Sequence, residues 1–240
     1  MLSTEEFRGF AKGVVPFLHV TSRLEGEKYG NLLSEKGGQG FPHLVAMDAE
    51  GEVIGVVSGE RSVAGFTRLM KDAADYSTLR GKKGRSPAEE VRLLGFELGM
   101  DRVTEADART RAAALKDLDA DPKKALDALL LGLDIQAELK LIKGPDPALR
   151  IAAGKDFAAM WKEGRRPGSD DGVFQPFFIY MLDYAESEKD AAHFEKALGV
   201  LREKFGSEPK AAGFFKKQDE RLAKLKAPAP VPPVEGGEKK

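Results

Sequence analysis

The sequence predicts an α/β segment followed by an all-α segment. Three observations carry that expectation. Apolar runs at Val14–Val20, His43–Met47 and Val53–Val57 alternate with short helical patterns before residue 80. The composition then breaks at Arg80-Gly81-Lys82-Lys83-Gly84-Arg85-Ser86-Pro87, a basic stretch with two glycines and a proline. From Ala88 to about Lys226, apolar residues recur only at helical spacing. The expected organisation is therefore a first domain at 1–79, a linker at 80–87, a helical domain at 88–226 and a tail at 227–240.

In the first domain, Ser3-Thr4-Glu5-Glu6 fits a capping box, with Ser3 as N-cap and Glu6 reaching back. Phe7 and Phe10 would face the core, and Gly13 would stop the helix. Val14–Val20 reads as an apolar strand. Glu25–Lys36 reads as a helix with Tyr29, Leu32 and Leu33 on one face, ended by Gly37-Gly38. His43–Met47 and Val53–Val57 flank Asp48-Ala49-Glu50-Gly51-Glu52, a short glycine-containing connection that signals a hairpin. Ser62 would cap a further helix, with Val63, Phe66, Leu69, Met70 and Ala73 on its buried side. The basic 80–87 stretch reads as an exposed linker. Its charge would also suit phosphate, but it lacks the Lys-Ser or Lys-Thr and the preceding strand of a Walker A loop.

In the second domain, Thr104 with Asp107 opens one helix. Asp121-Pro122 opens another, with proline in the first turn, and Ala125–Ile142 continues it. Asp146-Pro147 starts a helix running to Lys162. Phe174, Phe177, Phe178, Met181 and Tyr184 recur at helical spacing, as do Phe194, Leu198, Leu201 and Phe205. Such a stripe reads as one helix face packed on another rather than as a cofactor pocket. Trp161 reads as a core anchor. Phe214, Phe215, Leu222 and Leu225 mark the last helix. Residues 227–240 (APAPVPPVEGGEKK) are too rich in proline and glycine to form a core and read as disordered.

Composition narrows the function. The 240 residues carry 38 Lys and Arg against 39 Asp and Glu, so no global field points to nucleic acid or an anionic membrane. No apolar run approaches the roughly 20 residues of a membrane span. The start, MLSTEEFRGF, lacks the basic and apolar regions of a signal peptide, so the expected location is cytoplasmic as written. There is no cysteine, which excludes disulfides and thiol chemistry by this polypeptide. His19, His43 and His193 share no metal-ligand spacing, so no metal and no cofactor is expected. No catalytic set is evident in the helical half, whose acids and bases fall into i, i+4 pairs.

The order of parts before residue 80 carries a resemblance. A strand, a helix, GFPHLVAMDAEGEVIG at 40–55 and the helix at RSVAGF resemble the C-terminal two-thirds of a thioredoxin-like domain, over about residues 1–75. The resemblance implies a cis Phe41–Pro42 bond at the entrance to the strand at 43–47. It also implies that an extended partner segment pairs beside that proline, which makes Gly40, Phe41, Pro42 and His43 the expected peptide-binding groove. His43 reads as a hydrogen-bonded structural residue rather than an acid or base. Ala191–Phe215 resembles, more faintly, a tetratricopeptide helix pair, without a repeat period near the usual 34 residues.

The chain departs from the thioredoxin-like pattern in one respect. The family's first strand and Cys-x-x-Cys, about 25–35 residues, would lie upstream of Met1. Three explanations follow: the natural start lies further upstream, strands 14–20 and 43–47 pair directly, or another chain supplies the strand. The first is favoured, because the surviving parts look shaped around something absent. The expected function is a thioredoxin-like, redox-inactive protein-binding or scaffolding module. The alternative is the C-terminal part of a thiol-disulfide oxidoreductase, which would place it in the periplasm or outside the cell if a signal peptide preceded it. The expected partner is a protein or extended peptide at the cis-proline edge, with association of copies through unpaired strands as a further outcome.

Overall fold

The computed structural model describes residues 3–20, 28–57, 61–144 and 146–227. Among them are ten α-helices, one 3₁₀ turn and a two-stranded sheet, so the protein is mainly helical. The chain divides into two compact units, Met1–Leu129 and Leu130–Lys240. The division falls inside a helix, whereas the sequence places the boundary at 80–87. Residues 25–27 of the expected second helix and residues 228–240 of the tail lie outside the described residues.

In the first unit, α1 (Glu5–Ala11) is capped by Thr4, whose side chain accepts from the Phe7 N–H, one residue later than the expected Ser3 cap. Phe7 and Phe10 contact Phe66 with ring centroids 5.7 and 5.8 Å away. The expected strand at Val14–Val20 is absent: residues 15–20 run without a turn or a bend and pair with no strand among the described residues. An apolar run becomes a central strand only when neighbours occupy both edges and elements cover both faces; here Val15, Phe17, Leu18 and Val20 lie open to solvent. The expected helix at 25–36 shrinks, among the described residues, to α2 (Leu32–Glu35). Gly37 follows it at φ +79°, a left-handed conformation that suits glycine at a helix end.

The hairpin forms as expected. β1 (Val45–Met47) pairs antiparallel with β2 (Val53–Val56), Val45 opposite Val56 and Ala46 opposite Gly55, with a register shift between Ala46 and Met47. Asp48 shapes the turn by accepting from the Glu50 and Glu52 N–H groups, and Gly51 takes φ +80°. The hairpin lies on α3 (Val63–Gly81), which Ser62 caps through the Gly65 N–H. Ala46, Leu69 and Ala73 form the contact with Ile54 and Val57. Met70, expected on the buried face, is 36% exposed, and Tyr76 and Leu79 extend that face instead.

Of residues 80–87, the first two and the last belong to helices, and 82–86 form a short, mostly exposed connection between them. α3 runs through Arg80 and Gly81, and α4 (Pro87–Gly99) begins with a full capping box between Ser86 and Glu89. Arg85 ties the short connection down, donating to Glu90 and to the carbonyls of Leu79 and Lys82. α5 (Glu105–Ala114) starts at Thr104 through the Asp107 N–H, as expected. α6 (Ala120–Leu141) begins one residue before the expected Asp121.

The second unit is all helical. α7 (Pro147–Lys162) has the expected bounds and is capped by Asp146. α8 (Phe174–Ser187), α9 (Ala191–Phe205), the 3₁₀ turn Pro209–Ala211 and α10 (Ala212–Lys226) follow. Each of α7 to α9 packs on the next helix in the chain. The phenylalanine stripe is core: Phe157, Phe177, Phe178, Met181 and Phe194 have no solvent exposure. Phe157 stacks on Phe177 at 4.9 Å, and Trp161 meets Phe178 edge-on at 5.4 Å. Gly154 permits the close approach of α7 to α8, since a Cβ there would fall against the Tyr180 carbonyl and 2.9 Å from Tyr184 Cβ. Arg221 on α10 donates to Asp183 and Glu186 on α8.

Candidate functional site

The four expected groove residues lie together at the entrance to β1. Gly40, Phe41 and Pro42 are exposed, Phe41 at 69%, and the Phe41–Pro42 bond is cis. His43 is half-buried, and its Nε2 lies 2.9 Å from the Lys36 carbonyl. That contact makes Nε2–H the donor, so the ring holds the end of α2 and its proton is engaged.

Strand alternation settles which groups the β1 edge offers. The Val57 N–H donates to Leu44 O at 2.9 Å, and the Asp48 N–H donates to Glu52 O at 3.0 Å. Leu44, Ala46 and Asp48 therefore turn their backbone groups toward β2, and the intervening His43, Val45 and Met47 turn theirs outward. No described strand pairs with that outer edge. β2 differs. Its Val53 carbonyl accepts from Arg102 Nη2 at 2.6 Å, and the same guanidinium lies 3.3 Å from Glu52 and over the Tyr76 ring. One edge of the hairpin is thus braced by a cation from beyond α4, and the other is open directly after an exposed Phe-Pro pair.

A second polar cluster escaped the sequence reading. A cavity of about 440 Å³ lies among α3, α4 and α5, walled by Arg85, Arg111, Glu90 and Glu97 over Leu93 and Leu94. Arg111 donates to Glu97 and Glu90, and Arg85 donates to Glu90. Its carboxylates and these two guanidiniums neutralise one another, so the arrangement braces three helices. The signal was present: Glu90 and Glu97 stand seven apart on α4, on one face. Among the described residues, no group of three His, Asp or Glu side chains is close enough to hold a metal ion. Nor is any described helix long and apolar enough to cross a membrane.

No protein-family model, curated protein or solved structure matches the chain.

Proposed function

We propose that the protein is a redox-inactive, thioredoxin-like binding module that takes an extended polypeptide segment on the outer edge of β1. The observation that supports this is the open His43–Met47 edge beside the exposed Gly40-Phe41-Pro42 approach. An edge strand of this kind supplies a row of backbone donors and acceptors, and adding a strand is a recurrent way of binding peptides. Main-chain pairing gives affinity, and Phe41 offers an aromatic surface for a side chain of the guest. Without cysteine the chain has no thiolate to exchange disulfides. Purified protein is expected to leave insulin disulfides intact above the background of the added dithiol.

The test is an amide NMR titration with a short acetylated and amidated peptide of alternating threonine and valine. The expected result is perturbation and slowed exchange of the Val45 and Met47 amides. An analogue methylated on alternate backbone nitrogens should have no effect. Unchanged Val45 and Met47 amides at millimolar peptide, or equal responses to the two peptides, would overturn the reading.

A further inference from the structure

The cavity among α3, α4 and α5 carries more positive than negative charge, and we infer that it binds a small monocarboxylate with an apolar body. Peptide capture at β1 uses other residues, so the two sites stand or fall separately. Within the cavity Glu90 accepts from Arg85 and Arg111, and Glu97 accepts from Arg111. A third guanidinium lines the same cavity, that of Arg80 in the last turn of α3. Arg80 is exposed, and its side chain has no ion pair among the described residues. Three guanidiniums thus stand against two carboxylates, and the cation without a partner is the one nearest solvent.

Charge and surface together select the ligand. A single negative charge leaves the cavity neutral. A dianion would set its second charge against Glu90 and Glu97, whose side chains are 27% and 19% exposed, and partly buried like charges are weakly screened. A carboxylate matches the planar fork of a guanidinium with two parallel N–H···O bonds, and Arg80 has that fork free to donate. Arg85 and Arg111 keep their present partners, so binding breaks no ion pair. Leu93, Leu94, Ala114 and Leu115 supply the apolar part of the wall. The volume of about 440 Å³ falls in the range of small-molecule sites, roughly 300–1,000 Å³, which pair an apolar lining with a small number of placed polar groups. The two carboxylates are then the selective element: they admit a monoanion and repel phosphate-rich ligands.

The probe is octanoate, titrated at neutral pH into the full chain and followed by NMR of the backbone amides and arginine side chains. Saturable shifts are expected at Arg80, Arg85 and Leu115, with a Kd of about 1 mM or tighter. Octanamide has the same chain and no charge, and should bind about tenfold more weakly or worse, because a charge-assisted pair is lost. Inorganic phosphate has charge and no chain, and should bind more weakly by a similar factor. Arg80→Gln should weaken octanoate about tenfold or more. Arg80→Lys should weaken it less, since an ammonium keeps the charge but lacks the fork. Arg80→Gln should keep the parent's circular dichroism spectrum, because the exposed Arg80 side chain braces no carboxylate. The octanamide and phosphate comparisons use the unaltered protein, so they decide the matter even if that variant folds poorly. No saturable shift by about 10 mM octanoate, shifts confined to other parts of the chain, octanamide or phosphate binding as tightly as octanoate, or an affinity unchanged in a folded Arg80→Gln would overturn the inference.

Discussion

His193 sits on α9 with its ring against Trp161, 5.6 Å between centroids, while Lys196 lies over the same indole. Its Nε2 has no hydrogen-bond partner among the described residues. Burial pushes the His193 pKa down, and Lys196 adds to the shift while Asp190 opposes it. The folded state therefore binds this proton less readily than the unfolded chain, whose histidine titrates near 6.5. It follows that the unfolded state gains protons first as pH falls, so stability is full above about pH 6.5 and declines below it. Denaturant midpoints measured from pH 8 to 5 should show that decline, and His193→Gln should flatten it. Trp161 is the only tryptophan, so its emission should report protonation of His193 in the native protein, at lower pH than in the unfolded chain. Gly154 is the second decisive residue. Gly154→Ala forces a methyl against backbone that cannot rotate away, and a loss of about 3 kcal/mol is expected in chemical denaturation.

At the scale of elements, the hairpin rests on limited support. Its core contact is small, formed by Ala46, Leu69 and Ala73 with Ile54 and Val57. Arg102 supplies the brace on β2 through the Val53 carbonyl. Arg102→Ala should loosen the hairpin by about 1 kcal/mol, since a partly exposed charged donor is lost. The readout is several-fold faster exchange at the Val57 amide, which donates to Leu44 on β1. Helix ends, by contrast, were legible in advance. Ser62, Thr104 and Asp146 cap where their residue types and following sequence indicate. Ser86 falls within the stretch that reads as a linker, because the glycines and basic residues around it resemble loop composition. The Ser86-Pro87-Ala88-Glu89 pattern was the stronger local signal, as the completed capping box shows.

For the whole molecule, the two units have different sources of stability. The second contains a continuous aromatic and aliphatic core running from α6 to α10. In the first, the clusters beneath the hairpin and between α3 and α4 are smaller, and a row of large apolar side chains at 15–20 lies in solvent. Amide hydrogen exchange should therefore find the slowest amides in α8 and α9, with β1 and β2 exchanging faster by orders of magnitude. Protection of the hairpin equal to that of α8 would contradict this division.

The sequence by itself determined the helical second half, its caps, the Asp48–Glu52 turn and the absence of thiol chemistry. These follow from local causes: a side-chain oxygen reaches an N–H three residues on, and apolar residues at helical spacing share a face. It also brought Gly40, Phe41, Pro42 and His43 together, because they are neighbours in the chain. Only the tertiary structure decided that Val14–Val20 is not a strand. A strand takes its hydrogen bonds from other segments, so apolar composition is necessary for one and never sufficient. The same reason separates the open edge of β1 from the braced edge of β2. That difference rests on Arg102, 49 residues beyond Val53, and no local pattern links the two.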